Sequence, residues 1–138
     1  MRIYKIVFLS ILLSSNVLAG TNYFNEGLSF YKNKEFDKAK FKFEQDIVFN
    51  PKNEKSYLYL SKIFNKQEKK ELEEKNLNTV ILLNPKNEEA IYNLAKLKLK
   101  DSDFEGSKKL IGKLLIICKD YCQKSNDLKI QIEKSQNK

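Results

Sequence analysis

The chain has 138 residues, with 26 Lys and Arg against 18 Asp and Glu, and it contains neither His nor Trp. The missing His removes the commonest general base and the commonest metal ligand. Every basic residue after Arg2 is Lys, and Asn and Ile are also abundant. AT-rich coding produces that composition, so the positive balance does not by itself name a partner. A nucleic-acid role fits poorly, because Arg is absent after Arg2 and acids are interleaved with the lysines.

The first segment, "MRIYK", carries two positive side chains, "IVFLSILL" is apolar, and "VLAG" supplies small residues around Ala19. That order predicts a secretory signal peptide over 1–19, cut after Ala19 or Gly20. The alternative is an uncleaved membrane anchor, for which the apolar run is short against the ~20 residues of a span. No Cys follows the cut to carry a lipid. Removal leaves 24 basic side chains against 18 acidic, a net of +6. The remaining 20–138 makes one small domain rather than two, and the expected location is periplasmic or secreted.

Next comes a repeat. "NPKNE" occurs at Asn50–Glu54 and again at Asn84–Glu88, 34 residues on. The flanks repeat too, with Ile47, Val48 and Phe49 above Ile81, Leu82 and Leu83. Extending the frame gives columns of three: Tyr23, Tyr57 and Ile91; Gly27, Ser61 and Ala95; Phe43, Leu77 and Ile111; Ile47, Ile81 and Leu115. A fixed period of this size marks a stacked helical array, whose units bury their apolar faces only against each other. The first unit is predicted at 20–51, the second at 52–85 and the third at 86–119. Tyr57, Leu60 and Phe64, and then Ile91, Leu94 and Leu97, step at helical spacing. Polar breaks such as "KNKEFD" (32–37) and "KDSDFE" (100–105) divide each unit into two helices. Pro51 and Pro85 end helices, and Asn53 and Asn87 are expected N-caps with Glu54, Glu88 and Glu89 facing the helix dipole. Over 120–138, Leu128 and Ile132 stand among charged residues, as in a capping helix with a frayed tail.

These residues resemble the tetratricopeptide repeat (TPR) family. Tyr23, Gly27, Phe30, Phe36, Ala39, Phe43 and Pro51 fall where that helix-turn-helix pattern expects them. The resemblance spans essentially all of 20–138. It is moderate in unit three (Ile91, Leu94, Ala95, Phe104, Ile111, Leu114), where Lys119 replaces the proline. It is weakest late in unit two, where Lys70 and Glu73 replace an aromatic and a small residue, so that helix is expected to be displaced or less stable. The resemblance implies an all-α fold of three helix-turn-helix repeats plus a C-terminal capping helix, a short right-handed solenoid. It also implies a protein-interaction module, not an enzyme, with no cofactor and no small-molecule substrate.

In this family the first helix of each unit lines a concave groove. The frame carries that role to Phe24, Leu28, Tyr31 and Lys32, to Leu58, Lys62, Asn65 and Lys66, and to Tyr92, Lys96, Leu99 and Lys100. Aromatic and aliphatic side chains among lysines suit a protein or extended peptide with some acidic groups. A merely solvated lysine surface is the plainer alternative. Phe24 and Leu28 stand where chaperone-binding members have Lys and Asn, so capture of a peptide C-terminus is not expected.

"CKDYC" places Cys118 and Cys122 near the end of the third unit. In an exported chain such a pair reads as a disulfide, with free buried thiols as the alternative and a thiol-redox enzyme as the enzymatic competitor. Two cysteines without His make no metal site. Glu73–Glu74 and Glu88–Glu89 are adjacent on a helix and diverge by about 100°, so they do not converge on a substrate. A membrane-tethered envelope assembly factor using the same groove is the second functional reading, with membrane contact only through an uncut N-terminal segment.

Overall fold

In the computed structural model, residues 22–136 are described. The signal segment assigned to 1–19 lies outside them, as do the last two residues. Among the described residues there are seven α-helices and no strand: α1 (Tyr23–Lys32), α2 (Phe36–Phe49), α3 (Glu54–Lys66), α4 (Lys70–Leu83), α5 (Glu88–Lys100), α6 (Phe104–Ile117) and α7 (Cys122–Gln136). Each helix packs on its neighbour in sequence, and α5 also touches α7. That is the one-dimensional stacking of a helical-repeat solenoid.

The period is obeyed to the residue by the second helices, since α2, α4 and α6 start at 36, 70 and 104 and each has 14 residues. The turns before them repeat as well. Lys34, Glu68 and Ser102 lie in the left-handed region, at φ 62°, 56° and 60°. At the first turn Lys34 N–H donates to Tyr31 O at 3.0 Å and Glu35 N–H to Phe30 O at 2.9 Å. Both bonds recur at 68–69 and 102–103. This is a Schellman closure, made without the glycine that usually supplies the left-handed residue. The first helices are less uniform. Asn53 and Asn87 cap α3 and α5, accepting from Lys55 N–H and Ala90 N–H. Asn22 caps α1, three positions late in the frame, so α1 has 10 residues against 13 in α3 and α5.

Three apolar clusters fill the spaces between successive helices. Phe43, Leu60, Ile63 and Phe64 close the first, Leu58, Leu77, Val80, Leu94 and Leu97 the second, and Ile91, Ile111, Leu114, Leu128 and Ile132 the third. The small column is buried throughout at Gly27, Ser61 and Ala95, which lets α1, α3 and α5 approach their partners closely. α7 covers the last cluster with Leu128 and Ile132, as a terminal cap requires.

The displacement expected late in unit two is not found. α4 runs full length and packs on α3 and α5. Glu73, in the column of Ala39 and Ser107, is buried like them. Its carboxylate accepts two bonds from the Asn65 amide, at 2.9 and 3.0 Å, which answers the burial of a polar group.

The repeated "NPKNE" has a mechanical role. Asn50 and Asn53 donate from their side-chain amides to buried Asp46, at 3.0 and 2.7 Å. Glu54 reaches the turn that joins its unit to the next, accepting from Asn84 at 2.9 Å and from Asn87 at 3.3 Å. Glu88 does the same one unit later: it accepts the backbone N–H groups of Lys119, Asp120 and Tyr121 at 2.8, 3.0 and 2.9 Å. The proline stops a helix, and the glutamate ties the next turn in the stack.

The amides around Glu88, Lys119 N–H first, hold its carboxyl below the ordinary glutamate value despite an opposing effect of burial. A depressed folded value means stability present above the unfolded value and lost as pH falls through the folded one. Glu88→Gln is therefore expected to melt below wild type at neutral pH, with the gap narrowing in acid. Parallel melts across that range test it, and a gap independent of pH would show that the charge is not what holds the turn.

Cys118 and Cys122 are bonded, at an S–S distance of 2.02 Å and a Cα–Cα distance of 5.3 Å. Cys118 is the C-cap of α6 with ψ 148°, and Cys122 is the first residue of α7, so the bridge spans the turn between two helices rather than lying within one. It fastens the cap to the third repeat.

Candidate functional site

Three first helices standing side by side leave a concavity of about 250 Å³ on one face of the stack. Tyr31 comes from α1, Lys62, Asn65 and Lys66 from α3, and Lys96 and Lys100 from α5. These six of the twelve groove residues assigned by the repeat frame are brought together. Each is placed by its helix rather than a loop, because positions three and four apart share a helical face.

The other six do not line this concavity. Leu58 is 8% exposed and belongs to the core with Leu77 and Val80. Phe24 packs on Phe43 and Tyr59, with ring centroids 5.8 and 6.0 Å apart. Tyr92 meets Tyr121 at 5.4 Å, and Leu99 packs into the last cluster beside α7. Leu28 is half-buried and Lys32 exposed, both outside the lining. The frame fixes which helix face a residue occupies. It does not say what the next helix lays over that face.

Sequence reasoning missed Glu73, Glu89 and Asn93, which complete the lining along with Ser61 and Leu97. Glu89 pairs with Lys62 at 2.7 Å, while the Lys62 ammonium also lies 4.7 Å from the centre of the Tyr59 ring. Lys62 is thus partly neutralised. Lys66 and Lys96 lie over the Phe36 and Tyr92 rings, at 5.3 and 5.7 Å. Among the described residues Lys66, Lys96 and Lys100 form no ion pair within 4.0 Å. Burial pushes the Glu73 carboxyl above its ordinary value, with the Asn65 amide and then Lys100 pulling it back. Tyr31 is raised by burial, and Lys62 opposes the rise. One signal for Glu73 was in the sequence: an acid standing in a small-residue column. Nothing local marked Glu89, whose partner comes from the preceding unit.

Chemically the site offers ammonium groups over aromatic faces, an amide and an ion pair, all on rigid helices. It can hold an extended chain and attract negative charge.

No protein-family model matches the chain, and no curated protein sequence matches it. Solved structures do. The first TPR domain of Spaghetti bound to an HSP90 peptide is similar at TM-score 0.76 and 15% identity, over 84% of this chain and 91% of that one. The Arabidopsis OM64 TPR domain gives 0.74 at 16% identity, over 82% and 93%. The Yersinia enterocolitica type III secretion chaperone SycD, in complex with a peptide of the translocator YopD, gives 0.76 at 9% identity, over 83% and 92%. The fold of this chain is that of a TPR domain, an all-α helical-repeat solenoid.

Proposed function

We propose that this chain is an exported peptide-binding module, which takes an extended, partly acidic segment of a protein partner on its concave face. The observation that carries the reading is the convergence of Tyr31, Lys62, Asn65, Lys66, Lys96 and Lys100 from three successive repeats on one concavity. Lysines without carboxylate partners, held above aromatic rings, favour a ligand that brings its own carboxylates. Peptides bound to Spaghetti and to SycD, on the same fold, support a peptide ligand. Export rests on the order of charged, apolar and small residues over 1–19 and places the module in a periplasm or outside the cell. On this reading the chain is a scaffold rather than an enzyme.

Affinity capture from an envelope extract tests the proposal. Immobilised wild type should retain a partner that a Lys96→Glu, Lys100→Glu variant of unchanged helicity does not. Equal retention by both would remove the concave face from the interaction.

A further inference from the structure

A second surface is built into the same repeat and goes beyond the peptide-binding reading. Val48, Leu82 and Ile116 occupy one column of the 34-residue frame, near the ends of α2, α4 and α6. They are 74%, 81% and 85% exposed. Phe49 and Leu83, next in the chain, are also exposed. Because α2, α4 and α6 begin in register, these side chains form a single ridge along one edge of the solenoid rather than scattered surface residues. The turns that follow carry Lys52, Lys86 and Lys119, all exposed. Two acids of the same edge are turned inward: Glu54 is bonded to Asn84 and Asn87, and Glu88 to the amides of 119–121. Asp120 remains as an exposed acid beside the lysines.

We propose that this ridge seats the protein on an anionic lipid surface. Protruding aliphatic side chains with a fringe of ammonium groups match the two layers of such a surface, the acyl boundary and the negative headgroups. No helix among the described residues is long and apolar enough to cross a membrane, so the contact is peripheral. A second copy fits less well. Phe49 borders a depression, but a shallow one beside Asn50–Asn53, and five such side chains fall short of the roughly 800 Å² per partner that a stable protein contact needs. Lipid requires no preformed complementarity, since the acyl chains close around whatever enters. The ridge is separate from the concavity, so a bound peptide and a membrane need not compete.

The test uses the chain beginning at Gly20, which carries all seven helices and the three core clusters. It has no Trp, so Leu82→Trp gives a single reporter on the ridge. With vesicles containing phosphatidylglycerol its emission should move to shorter wavelength, and vesicles of phosphatidylcholine alone should have little effect. Replacing Val48, Leu82 and Ile116 together by Ser, in the chain without the Trp reporter, should lower partitioning measured by vesicle co-sedimentation roughly tenfold or more, judged from the apolar area each withdraws. Helicity should be unchanged. Changing Lys52, Lys86 and Lys119 to Gln should abolish the preference for the anionic vesicles. Absence of vesicle binding would overturn the proposal. So would a Ser variant that binds as wild type does, which would leave charge alone responsible. A self-association of wild type that the Ser variant abolishes would instead make the ridge a contact between copies. None of these outcomes touches the peptide-capture experiment, so the two readings fail separately.

Discussion

Phe43→Ala is expected to destabilise the fold by about 3–5 kcal/mol, the range for removing a buried aromatic ring. Phe43 is fully buried between α1, α2 and α3. Its ring stacks on Tyr59 with centroids 5.2 Å apart and meets Phe24 at 5.8 Å. It also fixes its neighbour: a Cβ on Gly27 would stand 2.8 Å from the ring's Cδ1 and Cε1. Gly27 is therefore small because Phe43 is large. Gly27→Ala alone should overpack by about 1–3 kcal/mol. In the Phe43→Ala background the same change should be nearly neutral, because the clash has gone. Urea titrations of the four combinations measure this. Additive losses would mean that the two positions do not share one space. A domain of this size has roughly 5–15 kcal/mol in all, so the single Phe43 change removes a large share of it, and from the low end of that range it leaves a detectable unfolded fraction.

Asp46→Val should cost about 2–3 kcal/mol, even though Val80 and Leu114 occupy the same column in the next units. Asp46 is 2% exposed and accepts from Ser56 Oγ at 2.5 Å, Asn53 at 2.7 Å and Asn50 at 3.0 Å. Asn50 is exposed and can turn to water. Ser56 is fully buried and cannot, so its hydroxyl is left without this acceptor. Adding Ser56→Ala should recover part of the loss, since two polar partners are then removed together. A stabilising Asp46→Val would show that burying the carboxylate costs more than its three bonds return, and the turn would need another explanation.

The columns explain what could be read in advance. Gly27, Ser61 and Ala95, or Phe43, Leu77 and Ile111, repeat because each meets the same neighbour one unit on. Period and size therefore suffice to place the helices, and the second helices follow them without a slip. Asp46 and Glu73 were opaque for the opposite reason. Each breaks its column and is accommodated by side chains 8 to 10 residues away, Asn65 for Glu73 and Ser56 for Asp46. No hydrophobic period encodes such partners. The groove was half legible on the same grounds. Lys62, Lys66, Lys96 and Lys100 protrude from middle helices and stay on the face the frame gives them. Phe24 is drawn onto Tyr59 beside the shortened α1, and Tyr92 and Leu99 pack against the α7 end of the stack. Glu89 lowers the charge expected of the lysine column by pairing with half-buried Lys62, which leaves Lys66, Lys96 and Lys100 as the exposed cations of the site.

The most direct measurement of concave-face binding is therefore a titration of the captured partner's segment against wild type, Lys96→Glu with Lys100→Glu, and a control, Lys108→Glu with Lys113→Glu on α6. Lys108 and Lys113 are exposed and outside the concavity, so the control changes total charge equally without touching the site. Wild-type affinity should fall as salt rises, because exposed charges are screened beyond about 8 Å at physiological ionic strength. The concave pair should weaken binding by about tenfold or more, as like charge is set against an acidic ligand, while the control stays close to wild type in binding and in its melt. The concave pair should melt somewhat lower, because Lys96 and Lys100 no longer offset the buried Glu73 carboxylate, so affinities are compared at a temperature where both variants are folded. Equal weakening by the two pairs, or none by either, would contradict binding on the concave face.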